Sequence, residues 1–110
     1  MSTQPAPSTA REVVRPVAPK LIDLSEKVLF GDVWERPGLS KRDRSLITVA
    51  ALTAMYRTDQ LQGHLERALA NGVTREEIGE VITHLAFYAG WPNAMTAGTI
   101  ARRVFDAKKP

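Results

Sequence analysis

Apolar residues along this chain recur at spacings of three and four rather than two, and the polar breaks between them carry helix-start and helix-stop chemistry. From Pro19, residues Leu21, Leu24, Val28 and Leu29 fall on one helical face, and the pattern fades at Gly31. Arg36-Pro37-Gly38 then punctuates the chain as a turn. Ser40 is placed to cap a helix over about residues 41–56, with Asp43 positioned to return the hydrogen bond and to sit near the positive helix end. Its stretch Leu46, Ile47, Val49, Ala50, Ala51, Leu52, Ala54 and Met55 is apolar on almost every side, which predicts a central helix buried all round. Thr58 or Asp59 opens the next helix, which runs to about Ala70 and stops at Asn71-Gly72. The Thr74-x-x-Glu77 capping box opens another, ending at Gly90. Trp91-Pro92 puts a proline at the first turn of the last helix, about residues 93–107, with Met95, Ile100, Val104 and Phe105 as its apolar positions.

Residues 1–17, rich in Pro, Ser, Thr and Ala, show no stripe and read as a flexible arm ahead of one helical domain over residues 18–110. With no strand alternation, no internal repeat and no glycine-rich phosphate loop, the predicted class is an all-α, single-domain helical bundle.

Composition narrows the chemistry. A domain of 110 residues buries only about two-thirds of its unfolded surface, so a deep pocket is expected to need a second subunit. The net charge of +3 comes from 15 Lys and Arg scattered among 12 Asp and Glu, without the contiguous basic stripe that nucleic acid requires. No cysteine is present, which removes disulfides, a thiolate nucleophile and Cys-based metal sites, and fits a cytoplasmic location. The sequence shows neither a transmembrane run nor a signal-peptide pattern.

Two histidines remain to be placed. On the third predicted helix, Leu61, Leu65, Ala68 and Leu69 form the apolar face, His64 lies on its border, and Gln60 and Arg67 flank it on the polar side. A histidine there can present one nitrogen to a cavity as a general acid or base, or can simply bond a backbone carbonyl. His84, seven residues from Glu77 on the next helix, shares what is more simply a wet face. Phe87 points nearly opposite to the face of Ile78, Val81, Ile82, Leu85 and Ala89, which suggests a subunit interface. No His-x-x-x-His or Glu-x-x-His pair is present, so no metal is expected.

Several of these segments, taken in order, resemble the carboxymuconolactone decarboxylase family. They are Arg36-Pro37-Gly38-Leu39-Ser40, Arg42-Asp43-Arg44-Ser45-Leu46, His64-Leu65, Asn71-Gly72-Val73-Thr74-Arg75-Glu76-Glu77-Ile78 and Tyr88-Ala89-Gly90-Trp91-Pro92. The resemblance covers about residues 20–106 and implies a helical fold shared with alkylhydroperoxidase D, assembled as a homo-oligomeric trimer or hexamer. The peroxidase branch of that superfamily uses a Cys-x-x-Cys pair followed by a histidine. Counting back from His64 puts Arg57 and Gln60 where those cysteines would stand, so a thiol peroxidase is disfavoured. The decarboxylase branch needs no sulfur.

What the resemblance implies is decarboxylation, without a cofactor, of a small unsaturated carboxylated lactone such as 4-carboxymuconolactone from aromatic-acid breakdown. In that reading His64 and Asp43 are the catalytic candidates, with His64 giving the proton and Asp43 either orienting it or simply capping its own helix. Arg44 or Arg57 supplies a cation, and Gln60, Tyr88 and Trp91 complete substrate binding. Where some family decarboxylases carry Tyr-Cys-Gly-x-Pro, this chain has Ala89 followed by the bulky Trp91, which puts the substrate in question. The alternatives are a lyase, isomerase or hydrolase acting on another oxo-acid or lactone, and a non-catalytic ligand-binding or structural oligomer.

Overall fold

Two hydroxyl side chains set the starts of the main helices. Ser40 and Thr74 both hold extended backbone, and each accepts a hydrogen bond at 3.0 Å from the backbone N–H three residues on, at Asp43 and Glu77. Glu77 returns the bond to the Thr74 N–H at 2.9 Å, completing the capping box. Asp43 does not return one; its carboxylate instead accepts from the guanidinium of Arg42.

The computed structural model describes residues 9–108, all of whose regular elements are helical. They are α1 (Thr9–Val14), α2 (Pro19–Leu24) continuing into a π-helical turn (Ser25–Phe30), a 3₁₀ turn (Val33–Glu35), α3 (Lys41–Ala54), α4 (Thr58–Ala70), α5 (Arg75–Ala89) and α6 (Trp91–Ala107). The all-α expectation is met, and the four long helices begin and end within two residues of the sequence-based positions. One departure lies in the arm: Thr9–Val14 is helical where no helix is expected, while the rest of that segment through residue 8 lies outside the described residues.

The chain divides after Leu39 into two units. In the first, Ile22 and Trp34 are the buried apolar residues, and Trp34 packs on Phe30 with ring centroids 5.7 Å apart. The helically spaced apolar residues Leu21, Leu24, Val28 and Leu29 are each at least 42% exposed. The passage from α-helical to π-helical winding after Leu24 alters the residues per turn, so Val28 and Leu29 do not continue the α-helical spacing of Leu21 and Leu24.

In the second unit α3 packs on α4 and α5, and α6 packs on α4 and α5. The core joins Val49 of α3, Leu61, Leu65 and Ala68 of α4, Ile78 of α5, and Ala97, Ile100, Ala101 and Val104 of α6, with Val73 from the turn. Alanines at α4 and α6 contacts leave room for close helix approach. They also explain a correction on α6: Met95, expected inward, is 63% exposed, and Ala94, Ala97 and Ala101 take the buried positions. A second correction concerns α3. Only Ser45, Val49 and Thr53 are buried, at four-residue spacing, while Ile47 and Met55 are more than half exposed, because its neighbours cover one side alone.

Three polar links fix α3. Asn71 Nδ2 donates to the fully buried Ser45 Oγ at 2.9 Å, Arg42 pairs with Glu77 of α5, and Asn93 of α6 donates to the Thr53 and Ala54 carbonyls at 3.3 and 3.1 Å. The last bond satisfies carbonyls that a helix end leaves without intrahelical partners.

Leu65→Ala is expected to lower the unfolding free energy by about 2–5 kcal/mol, measured by urea denaturation, since a fully excluded side chain is lost from between three helices. The Glu77 carboxyl is held below the ordinary glutamate range, first by the Thr74 backbone N–H and then by Arg42. A depressed folded-state pKa means that this contribution is present above the ordinary value of 4.5 and lost as pH falls through the folded one. Glu77→Gln is therefore expected to flatten the fall in Tm below pH 4.5; an unchanged slope would count against the link.

Candidate active site on helix α4

At about 100° per residue, positions 57, 60, 64 and 67 follow one another along one side of α4, spanning roughly 15 Å of helix axis. Leu61, Leu65 and Ala68 turn inward beside them, with exposures of 1%, 0% and 0%. The helix therefore carries a polar stripe along the margin of its buried face. Arg57, at the N-cap, and Gln60 are exposed, whereas His64 and Arg67 are half-buried.

His64 sits on the seam between core and stripe. Its Nδ1 is shielded from solvent. Burial in the first place, and the positive charge of Arg67 in the second, hold its pKa below the ordinary value of 6.5. The imidazole is accordingly neutral at neutral pH, with one ring nitrogen a donor and the other an acceptor. Arg57 makes no ion pair among the described residues and stands two turns N-terminal to His64 on the same side, open to an anion.

The other candidates fall in different places. Asp43 lies in the first turn of α3, half exposed, and its carboxylate meets Arg42 at 3.3 Å; its bonds run to Arg42 and the Ser40 cap, not to His64. Arg44 is half-buried on α3, with Nε shielded from solvent. Tyr88 and Trp91 flank the α5–α6 junction and are 77% and 59% exposed. Tyr88 stacks on His84 at 4.7 Å, and Trp91 meets Phe87 edge-on at 5.6 Å.

Trp91 also lines an open, largely apolar groove of about 560 Å³ between α5 and α6, with Ile82, Ala86 and Met95 along it and Arg102 and Arg103 at its margin. None of His64, Asp43, Arg44, Arg57 or Gln60 lines that groove. Arg57, Gln60 and His64 thus follow one another along one side of α4, and Trp91 lies on a separate surface. Arg67 is the residue that the sequence reading left outside the site, although its signal was available three positions after His64, on the flank already occupied by Gln60.

Among the described residues no three His, Asp or Glu side chains gather as a metal site, and no helix is long and apolar enough to cross a membrane. The α4 stripe can bind an anion through arginine and exchange a proton through a shielded imidazole. Those are the elements of general acid–base chemistry on a carboxylate.

The sequence profile described as the carboxymuconolactone decarboxylase family matches residues 19–103. A 4-carboxymuconolactone decarboxylase of Acinetobacter baylyi is 46% identical over 76 residues, covering 69% of this chain and 57% of that protein. A nitrosuccinic acid decarboxylase of Metarhizium robertsii is 35% identical over 77 residues, 70% of this chain and 54% of the relative. An uncharacterised 15.0 kDa protein of Paracoccus denitrificans is 35% identical over 78 residues, 69% of this chain and 58% of its own length. The matched part of the chain thus spans little more than half the length of these relatives.

In a proton NMR titration His64 is expected to show a midpoint below 6.5, and Arg67→Gln to move it part of the way back, because burial, the larger cause, stays in place. A wild-type midpoint at or above 6.5, or one indifferent to Arg67, would refute this account. The sign for stability follows: the contribution of neutral His64 is complete above 6.5 and is lost as pH falls toward the folded-state value.

Proposed function

The chain belongs to the carboxymuconolactone decarboxylase family, and from that premise we propose that it is a cofactor-independent carboxy-lyase acting on a small unsaturated carboxylated lactone, with 4-carboxymuconolactone as the first substrate to test. The observation that carries the reading is the α4 stripe, where a half-buried neutral histidine stands among Arg57, Gln60 and Arg67.

Two relatives bear the names of decarboxylases of different acids, a carboxylated lactone and a nitro acid. Both compounds carry an electron-withdrawing acceptor that can take up the electron pair released with CO2. That shared chemistry is what the present chain would exploit, and it requires no cofactor.

In this reading the arginines hold the substrate carboxylate and the oxygen on which negative charge develops. The bond from carbon to the carboxylate breaks, CO2 departs, and the electron pair spreads into the conjugated acceptor. Protonation of carbon then returns the pair to a C–H bond, the proton coming from solvent through His64. An anionic substrate offsets the field of Arg67, so its arrival raises the affinity of His64 for a proton and assembles the acid where it is used. Gln60 donates to substrate oxygen, and Arg44 is a second cation whose assignment rests on the family resemblance. Asp43, engaged by Arg42, serves the α3 start and stays a candidate only through rearrangement of that pair.

The chain has no cysteine, so it holds no thiol with which to reduce a peroxide. We further place it as a homo-oligomer, a trimer or hexamer, in which another copy covers the exposed Phe87.

Incubation with 4-carboxymuconolactone is expected to release CO2, with His64→Gln reducing kcat by about 10²–10⁴-fold, the usual weight of a positioned acid. Release that His64→Gln matches would remove the histidine from the mechanism. The wild-type kcat is expected to fall as pH rises, with a midpoint above that of His64 in the free protein. Sedimentation velocity is expected to show a multiple of the chain mass, reduced by Phe87→Arg; a wild-type monomer at micromolar concentration would end the oligomer proposal.

A further inference from the structure

The turn that delivers the chain into α4 contains the one described non-glycine residue with positive φ, Tyr56 at +58°. A bulky side chain in the left-handed region is strained, because its Cβ crowds the neighbouring carbonyl. The strain belongs to a definite motif. After Met55 closes α3, the Tyr56 N–H donates to the Thr53 carbonyl at 3.2 Å and the Arg57 N–H to the Leu52 carbonyl at 2.9 Å, the paired bonds of a left-handed helix stop.

The same motif ends the next helix. After Asn71 closes α4, the Gly72 N–H donates to the Leu69 carbonyl at 3.2 Å and the Val73 N–H to the Ala68 carbonyl at 2.9 Å. There the left-handed position is Gly72, at φ +98°, and a Cβ built on it meets nothing within 4 Å. Backbone conformation alone therefore accounts for glycine at 72. One chain thus uses the same hydrogen bonds twice, once with the residue the backbone prefers and once with a tyrosine.

Among the described residues no hydrogen bond, ion pair or ring contact accounts for the tyrosine. Its side chain is 54% exposed, so burial does not hold it there. The phenol makes no hydrogen bond or ring contact among the described residues. The base beneath it is nonetheless firm, since Asn93 of α6 fastens the Thr53 and Ala54 carbonyls immediately before it. A strained, solvent-facing aromatic side chain on a clamped turn stands one residue before Arg57, at the start of the helix that carries Gln60 and His64.

We propose that Tyr56 is a specificity residue of the α4 site, its ring laid against the planar unsaturated part of the substrate and its hydroxyl donating to a substrate oxygen. This inference rests on the substrate class proposed above, a conjugated ring bearing a carboxylate. Conjugation makes such a ring flat, and a phenol offers a flat apolar face together with a donor. Arg57, next in the chain, would take the carboxylate. The retained strain is consistent with residues that serve ligands in preference to the fold.

The test uses Tyr56→Asn, which tolerates left-handed backbone, and Tyr56→Phe, which restores the ring alone. Tyr56→Asn is expected to leave Tm equal or higher while raising KM for the lactone about tenfold, the loss falling on KM more than on kcat. Tyr56→Phe should recover most of that loss. A fall in Tm with unchanged KM would show that the tyrosine serves the fold, and would overturn the proposal. Calorimetric titration with furan-2-carboxylate, a flat unsaturated carboxylate that is not turned over, separates the two readings. Weaker binding by Tyr56→Asn than by wild type supports the specificity role even where no CO2 is released from the lactone. Equal binding, or none by either protein, overturns it, while lactone turnover by the wild type keeps the decarboxylase reading in place.

Discussion

The second unit depends on the exclusion of one face of α4 from water. Leu61, Leu65 and Ala68 are almost wholly buried, and residues of α3, α5 and α6 join them in a single apolar cluster. Burial of that face fixes the rotation of α4 about its axis, so the residues along its margin have no freedom to turn elsewhere. The polar stripe of Arg57, Gln60, His64 and Arg67 is thus a geometric consequence of core packing. A rotation by one residue would carry His64 about 100° around the helix and expel a leucine from the core.

Position on that margin also fixes the protonation state of the histidine. Deeper placement would remove the imidazole from any substrate, and full exposure would return it to ordinary titration. Half-burial beside Arg67 keeps it neutral while leaving it responsive to a negative charge. In the proposed reaction that arrangement would link substrate charge to histidine charge without a moving part.

Helix boundaries were legible because their signals are local. The Ser40 cap, the Thr74–Glu77 box and the Asn71-Gly72 stop each act within four residues, and each stands where the pattern put it. His64 was legible for the same reason, since its relation to Leu61, Leu65 and Ala68 is fixed by one helix. Burial between helices was less readable. The apolar character of α3 suggested cover on all sides, yet Ile47 and Met55 lie open because composition does not tell which side neighbours occupy. Met95 misled in the same way, as alanines on α6 are the residues that fit against closely packed helices. Relations between distant segments were the least readable: the Arg42–Glu77 pair spans 35 residues, and it draws Asp43's neighbour toward α5 with no trace in the local pattern. Tyr56 escaped notice because strain is a property of backbone angles, and the sequence there shows only an aromatic residue between two helices.

Asn93 ties together two places that the chain order separates. It follows Gly90, whose φ of +108° turns α5 into α6, and its amide grips the last carbonyls of α3 just ahead of Tyr56 and Arg57. The beginning of α6 and the entrance to α4 therefore form one mechanical unit. Trp91, at the head of α6, rides on the same linkage while facing the apolar groove. Loss of the Asn93 amide would therefore be felt at the close of α3, on the stretch of chain that leads into α4.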